Sequence, residues 1–180
     1  PVWGGVYQYS TDNDWVHPHF EKIMEHQANN LRMFTLAALY FKEPRYEKAA
    51  AAIAGYLLNF LRSPEGAFYT SQDADLVKGQ HSAEYFGLDD RGRRALGMPA
   101  IDRHSYTREN AWAAEALLVY GQAFHQAEAL QAGRVALEWI LSQRALGNGG
   151  YRHDSSDAAG PFLGDTLAAG RAFMAMYQLS

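Results

Sequence analysis

Three stretches of the sequence share one pattern. Gly4-Gly5-Val6-Tyr7 leads to Ser10 and Asp12, and Gly66-Ala67-Phe68-Tyr69 leads to Ser71, Asp73 and Asp75. Gly149-Gly150-Tyr151-Arg152 leads to Ser155 and Asp157. Each time, small residues and an apolar one introduce a polar, acidic loop. Tyr56-Leu57-Leu58 and Trp139-Ile140-Leu141 precede the second and third copies at similar distances. Internal similarity of this kind marks a repeated supersecondary unit, because one such unit cannot bury its apolar face alone.

The segments between the copies carry helical spacing. From His19 to about Lys42, Phe20, Ile23, Met24, Leu31, Phe34 and Ala38 recur at three- and four-residue steps, which predicts a helix. Pro44 ends it, and Arg45 to Arg62 predicts a second, with Ala49, Ile53, Leu57 and Leu61 on its inner stripe. Three more are predicted over about Arg108–His125, Glu128–Leu146 and Gly164–Leu179. Thr107 is expected to cap the third helix and Asp165 the fifth. Val, Ile and Thr are scarce, so a short ribbon in a loop is the most sheet the composition allows.

The unit is therefore helix, turn, helix, glycine-rich loop. Antiparallel helix pairs repeated about an axis make a solenoid or a closed α/α toroid. The long loops favour the toroid, where they would rim a central funnel. The expected fold is all-α, an incomplete α/α toroid of about five long helices. One domain over residues 1–180 is expected, a fragment of a larger ring. Its last helix then leaves Phe162, Leu163, Leu167, Phe173, Met174, Met176 and Tyr177 on a flank that another copy, or the remainder of a longer chain, would cover.

With 180 residues, 48% hydrophobic and 20% charged, the composition is that of a globular domain. The 16 basic residues against 20 acidic ones give a net charge of −4, which argues against nucleic acid as a partner. There is no cysteine, so disulfides, thiolate zinc sites and thiol redox chemistry are excluded. The longest nearly apolar stretch, Ala49 to Leu58, is too short and too rich in alanine to span a bilayer, so no membrane partner is expected. The lack of cysteine leaves the compartment open, and a cytoplasmic location is the working expectation. The chain opens at Pro1 rather than Met and reads as a cut or processed end. No nucleophile elbow, phosphate loop or dinucleotide fingerprint appears, so no cofactor is expected.

Acid–base work on a sugar needs titratable groups on opposite sides of the reacting carbon. Asp73 and Asp75 share one loop, and in an extended backbone both point to one face. The same pair equally suits holding the loop through amide bonds. His17 and His19 flank Pro18, with Glu21 expected in the first helical turn, where a helix N-terminus biases imidazole toward its neutral, basic form. No HExxH spacing supports a metal there. His104, Tyr106, Arg108, Glu109 and Asn110 form a dense polar cluster at the mouth of the third helix.

Around Trp15-Val16-His17-Pro18-His19-Phe20-Glu21-Lys22, the chain resembles a known family. It is similar to the toroid portion of the thioredoxin-domain-containing proteins related to spermatogenesis-associated protein 20, whose helical part is like six-hairpin glycosidases and N-acylglucosamine 2-epimerases. Phe68-Tyr69-Thr70-Ser71-Gln72-Asp73-Ala74-Asp75 matches that family's aromatic-Ser-Asp-Ala-Asp loop. Thr107 and Asn110 suit its Thr-x-x-Asn helix start, and Phe162-Leu163-Gly164-Asp165 its Phe-Leu-Asp-Asp segment. His26, Glu109 and Gly164 depart from the family's usual Asp, Trp and Asp, and Val77 to Ile101 is shorter than its insertion. The resemblance implies a carbohydrate-active toroid, epimerase, isomerase or glycoside hydrolase in character. It also leaves room for a binding domain that kept the fold without the chemistry. In the first case His19, Asp73 and Asp75 transfer protons, and Trp15, His17, Glu21, His104, Arg108 and Glu109 contact the sugar.

Overall fold

The computed structural model describes residues 1–13, 17–80, 82–147, 149–157 and 160–179. Five long helices carry the fold: α1 (Met24–Phe41), α2 (Pro44–Tyr56), α5 (Thr107–Ala123), α6 (Ala127–Arg144) and α7 (Leu163–Tyr177). Two short helices, α3 (Ala83–Phe86) and α4 (Asp90–Leu96), sit in the second glycine-rich loop. The described residues also hold five two-residue strands: β1 (Tyr9–Ser10), β2 (Pro18–His19), β3 (Lys22–Ile23), β4 (Ser71–Gln72) and β5 (Ile101–Asp102). β1 pairs with β2, and β3-β4-β5 form an antiparallel sheet in that order.

α1, α5 and α7 stand side by side, with α2 packed on α1 and α6 on α5. α1 buries Met24, Gln27, Ala28, Leu31, Thr35 and Ala38, a stripe at three- and four-residue steps. α5 lies between α1, α6 and α7 and is buried on most sides, which is why it is rich in alanine. A Cβ on Gly133 would lie 2.8 Å from a Leu118 side-chain atom, and one on Gly121 2.7 Å from Leu130. Those glycines let α5 and α6 approach closely.

The repeat is visible in the hydrogen bonds. In the second loop Ser63 N–H bonds Ala67 O, and Tyr69 N–H bonds Leu61 O. The third loop copies this with Leu146 N–H on Gly150 O and Arg152 N–H on Arg144 O. An amide side chain then ties each of the first two loops to the helix that follows. Gln27 accepts from Val6 N and donates to Val6 O, both at 2.7 Å. Asn110 does the same to Phe68, at 2.6 and 3.1 Å. Val6 and Gln27 are 21 residues apart but Phe68 and Asn110 are 42 apart, and α3 and α4 occupy the difference. The free amide of Met24 goes to Thr70 O and that of Thr107 to His153 O. All three loops thus gather at the N-terminal ends of α1 and α5, on one rim.

Four local expectations are corrected. Residues His19 to Ile23 are not helical, because β2 and β3 take their backbone bonds, so α1 starts at Met24 and Glu21 precedes it. The second helix ends in a π-helical turn over Leu57–Leu61. Thr107 does not cap α5: its hydroxyl donates to Arg152 O, and the residue before the helix is Tyr106. Asp165 lies inside the first turn of α7 and caps α5 instead, accepting from Arg108 N at 2.9 Å. The helix dipole explains why a carboxylate suits that place.

Candidate functional site

The sheet β3-β4-β5 floors a cavity of about 580 Å³. Thr11, His19, Glu21, Ser71, Asp73, Asp75, Lys78 and Asp102 supply polar lining, and Phe20, Leu76 and Ile101 supply apolar lining. Pro18 biases His17 toward extended backbone, and β2 pairs His19 with Tyr9, which fixes the strand that brings His19 to the wall. The ring of His19 stacks on Tyr9 at 5.0 Å. Its Nδ1 lies 4.0 Å from Glu21 Oε2 and has no hydrogen-bond partner among the described residues. That nitrogen is itself buried, so a molecule in the cavity would meet the exposed remainder of the ring and not Nδ1.

Asp73 and Asp75 each use one oxygen to hold the loop. Asp73 Oδ1 accepts from Asp75 N at 3.0 Å, and Asp75 Oδ2 accepts from Gly79 N at 3.1 Å. The opposite oxygens make no such bond among the described residues. Asp102 joins the lining from β5 and was not singled out by spacing. Its Oδ1 accepts from His104 Nδ1 at 2.5 Å, a bond that raises the His104 pKa, aided by the charge of Asp102.

Of the nine residues named from the sequence, His19, Glu21, Asp73 and Asp75 share this cavity. His17 stands outside it, 2.7 Å from Asp12 and well exposed. His104 sits behind Asp102, stacked on Tyr106. Arg108 and Glu109 pair with each other at 2.9 Å at the start of α5, where Arg108 also covers the Trp112 ring. Trp15 lies outside the described residues. Thr11, Lys78 and Asp102 are additional lining residues. Tertiary proximity brings them in, and of these only Asp102 had a local signal, a carboxylate two residues from His104. No group of three or more potential metal ligands occurs among the described residues. No described helix is long and apolar enough to cross a membrane.

No protein-family model matches the chain. Over 102 residues, 54% of its length, it is 37% identical to spermatogenesis-associated protein 20 of Mus musculus. Over 71 residues it is 35% identical to the Homo sapiens protein of that name. The resemblance read from the motifs stands. The chain spans 13% of the mouse relative and 9% of the human one. Among solved structures, all of it superposes on 43% of cellobiose 2-epimerase from Spirochaeta thermophila, with TM-score 0.75 and 21% identity. It superposes likewise on 42% of a D-mannose isomerase, with TM-score 0.72 and 16% identity. A glycoside hydrolase family 76 α-mannanase from Bacteroides thetaiotaomicron matches 98% of the chain with TM-score 0.69 and 11% identity. These are six-hairpin glycosidase-like toroids, so the fold is an α/α toroid arc.

Proposed function

We propose that this domain binds a sugar in the cavity above β3-β4-β5 and performs acid–base chemistry on it. One observation carries the reading: His19, Glu21, Asp73, Asp75 and Asp102 converge on one space that also offers apolar wall for a sugar ring. The fold shared with sugar epimerases, an isomerase and glycosidases supports it by analogy. In this scheme His19 moves a proton at the reacting carbon through Nε2, and Glu21, 4.0 Å from the buried Nδ1, orients the imidazole. Asp73 or Asp75 serves the opposite face through its free oxygen.

A binding domain without catalysis is the second reading. It is favoured by the loop-holding bonds that occupy one oxygen on each of Asp73 and Asp75. Proton NMR of mannose, glucose and cellobiose in heavy water separates the two. Loss of the C2 proton signal or appearance of a C2 epimer, a ketose or a cleavage product supports catalysis, and unchanged sugar with measurable binding supports the second reading. His19→Ala and Asp73→Asn are expected to weaken sugar binding while stability stays within about 1 kcal/mol of wild type. A large loss of stability with unchanged binding would mark both as structural and end the proposal.

A further inference from the structure

Under the cavity floor lies a buried polar layer that the sugar reading does not use. Lys22 and Gln72 face each other across β3 and β4, on the side of the sheet away from Glu21, Ser71 and Asp73. Lys22 is 1% exposed. Its Nζ donates to Gly4 O at 2.6 Å and stands over the rings of Tyr56, at 4.2 Å, and Tyr7, at 5.3 Å. Arg93 of α4 is equally buried, in a box formed by Trp3, Tyr85 and Phe86. It donates to Leu88 O and Phe86 O, and its charge acts on the Tyr7 hydroxyl.

The groups facing these two cations are Trp3 and Tyr7 from the first loop, Tyr56 from α2, Gln72 from β4, Tyr85 and Phe86 from α3, and the Pro1 amine. No carboxylate among the described residues pairs with either cation. Gln72 Nε2 and Arg93 Nη1 are buried without an acceptor. The layer therefore holds surplus donors, and a proton added to Lys22 meets another cation rather than a counter-ion. The same layer anchors the α3–α4 segment. Phe86 stacks on Phe20 at 4.2 Å, and Asp90 accepts the Trp3 indole N–H at 2.6 Å. That segment follows Asp75, Leu76 and Lys78, which form part of the cavity wall.

We propose that this layer is a pH-operated latch, in which uncharged Lys22 lets Arg93 seat the α3–α4 arm and protonated Lys22 releases it, loosening the cavity wall. Burial, and after it the Arg93 charge, brings the Lys22 amine down from 10.5 to about 7, inside the physiological range. Burial pushes Tyr7 and Tyr56 upward, so both stay protonated there. The latch stands on the buried layer alone, whatever ligand the cavity takes.

Hydrogen exchange of residues 83–96, corrected for intrinsic rates and followed from pH 8.5 to pH 6, tests it. Protection in wild type should fall by about tenfold or more as the pH drops, while α5 stays constant. Lys22→Met should give high, flat protection, and Lys22→Arg low, flat protection. Arg93→Met removes the opposing charge and should raise the Lys22 pKa, moving any transition visible in α2 and the first loop to higher pH. A flat wild-type profile overturns the latch. So does a transition that survives in Lys22→Met, which would belong to the Pro1 amine or to a histidine.

Discussion

At the scale of single residues, the Asn110 amide is the most exposed to test. It holds both the N–H and the C=O of Phe68 in a fully buried setting, so its loss strips two backbone groups at once. Asn110→Ala is expected to lower unfolding free energy by about 2–4 kcal/mol, read from urea denaturation. Asn110→Asp keeps the acceptor but sets a carboxylate oxygen against Phe68 O and Tyr106 O in a buried place, and should cost at least as much as Asn110→Ala. Lys22 sets a pH dependence of opposite character to a surface ion pair. Its folded pKa is about 7 against 10.5 in the unfolded chain. Between those values the unfolded chain holds a proton that the folded one lacks, so stability rises with pH across that window. Melting temperatures from pH 7 to 10 should climb in wild type, and that component should vanish in Lys22→Met. His19, Glu21, Asp73 and Asp75 were legible because the motifs that hold them are local. Lys22 and Arg93 were not, since 71 residues of sequence (from 22 to 93) separate two side chains that only the docked arm brings together.

At the scale of elements, the two glycines at matching places in the second and third loops separate strain from crowding. Gly66 has φ +87, and a Cβ there would come within 2.2 Å of Val135. Gly149 has φ +90 with nothing inside 4 Å. Gly149→Ala should therefore cost about 1 kcal/mol from backbone strain alone. Gly66→Ala should cost clearly more, about 2–4 kcal/mol, because Val135 must move as well. Equal losses by thermal melting would contradict the packing described for the second loop. The five long helices were readable because apolar residues recur at helical spacing over several turns. The segment from His19 to Ile23 was misread for the same reason. Phe20, Ile23 and Met24 fall on helical spacing by position, while strand pairs only two residues long leave no period to detect. The helices α3 and α4 span four and seven residues, also too short for a period to show.

At the scale of the whole molecule, α1, α5 and α7 form an arc whose two ends are open to a neighbour. Leu163, Leu167, Met174 and Tyr177 are exposed on α7, and Met33, Leu36 and Tyr40 on α1. Phe173 and Met176, expected on the same flank, pack against the core instead. The internal repeat foretold the arc. How its ends are covered depends on surfaces beyond a single copy of these residues. Light scattering at rising concentration should show a mass above that of one chain, because stripes of this kind favour association. A clean monomer throughout would mean that the flanks tolerate water.

The cavity is the centre of the account, and a backbone amide NMR titration with mannose, glucose and cellobiose locates binding on the whole surface at once. The predicted shifts gather on Glu21, Ser71, Asp73 to Leu76 and Ala100 to Asp102, the residues around the floor of β3-β4-β5. Absence of shifts with all three sugars, or shifts centred on Arg32, Trp112, Glu115 and Arg171 between the inner helices, would contradict it.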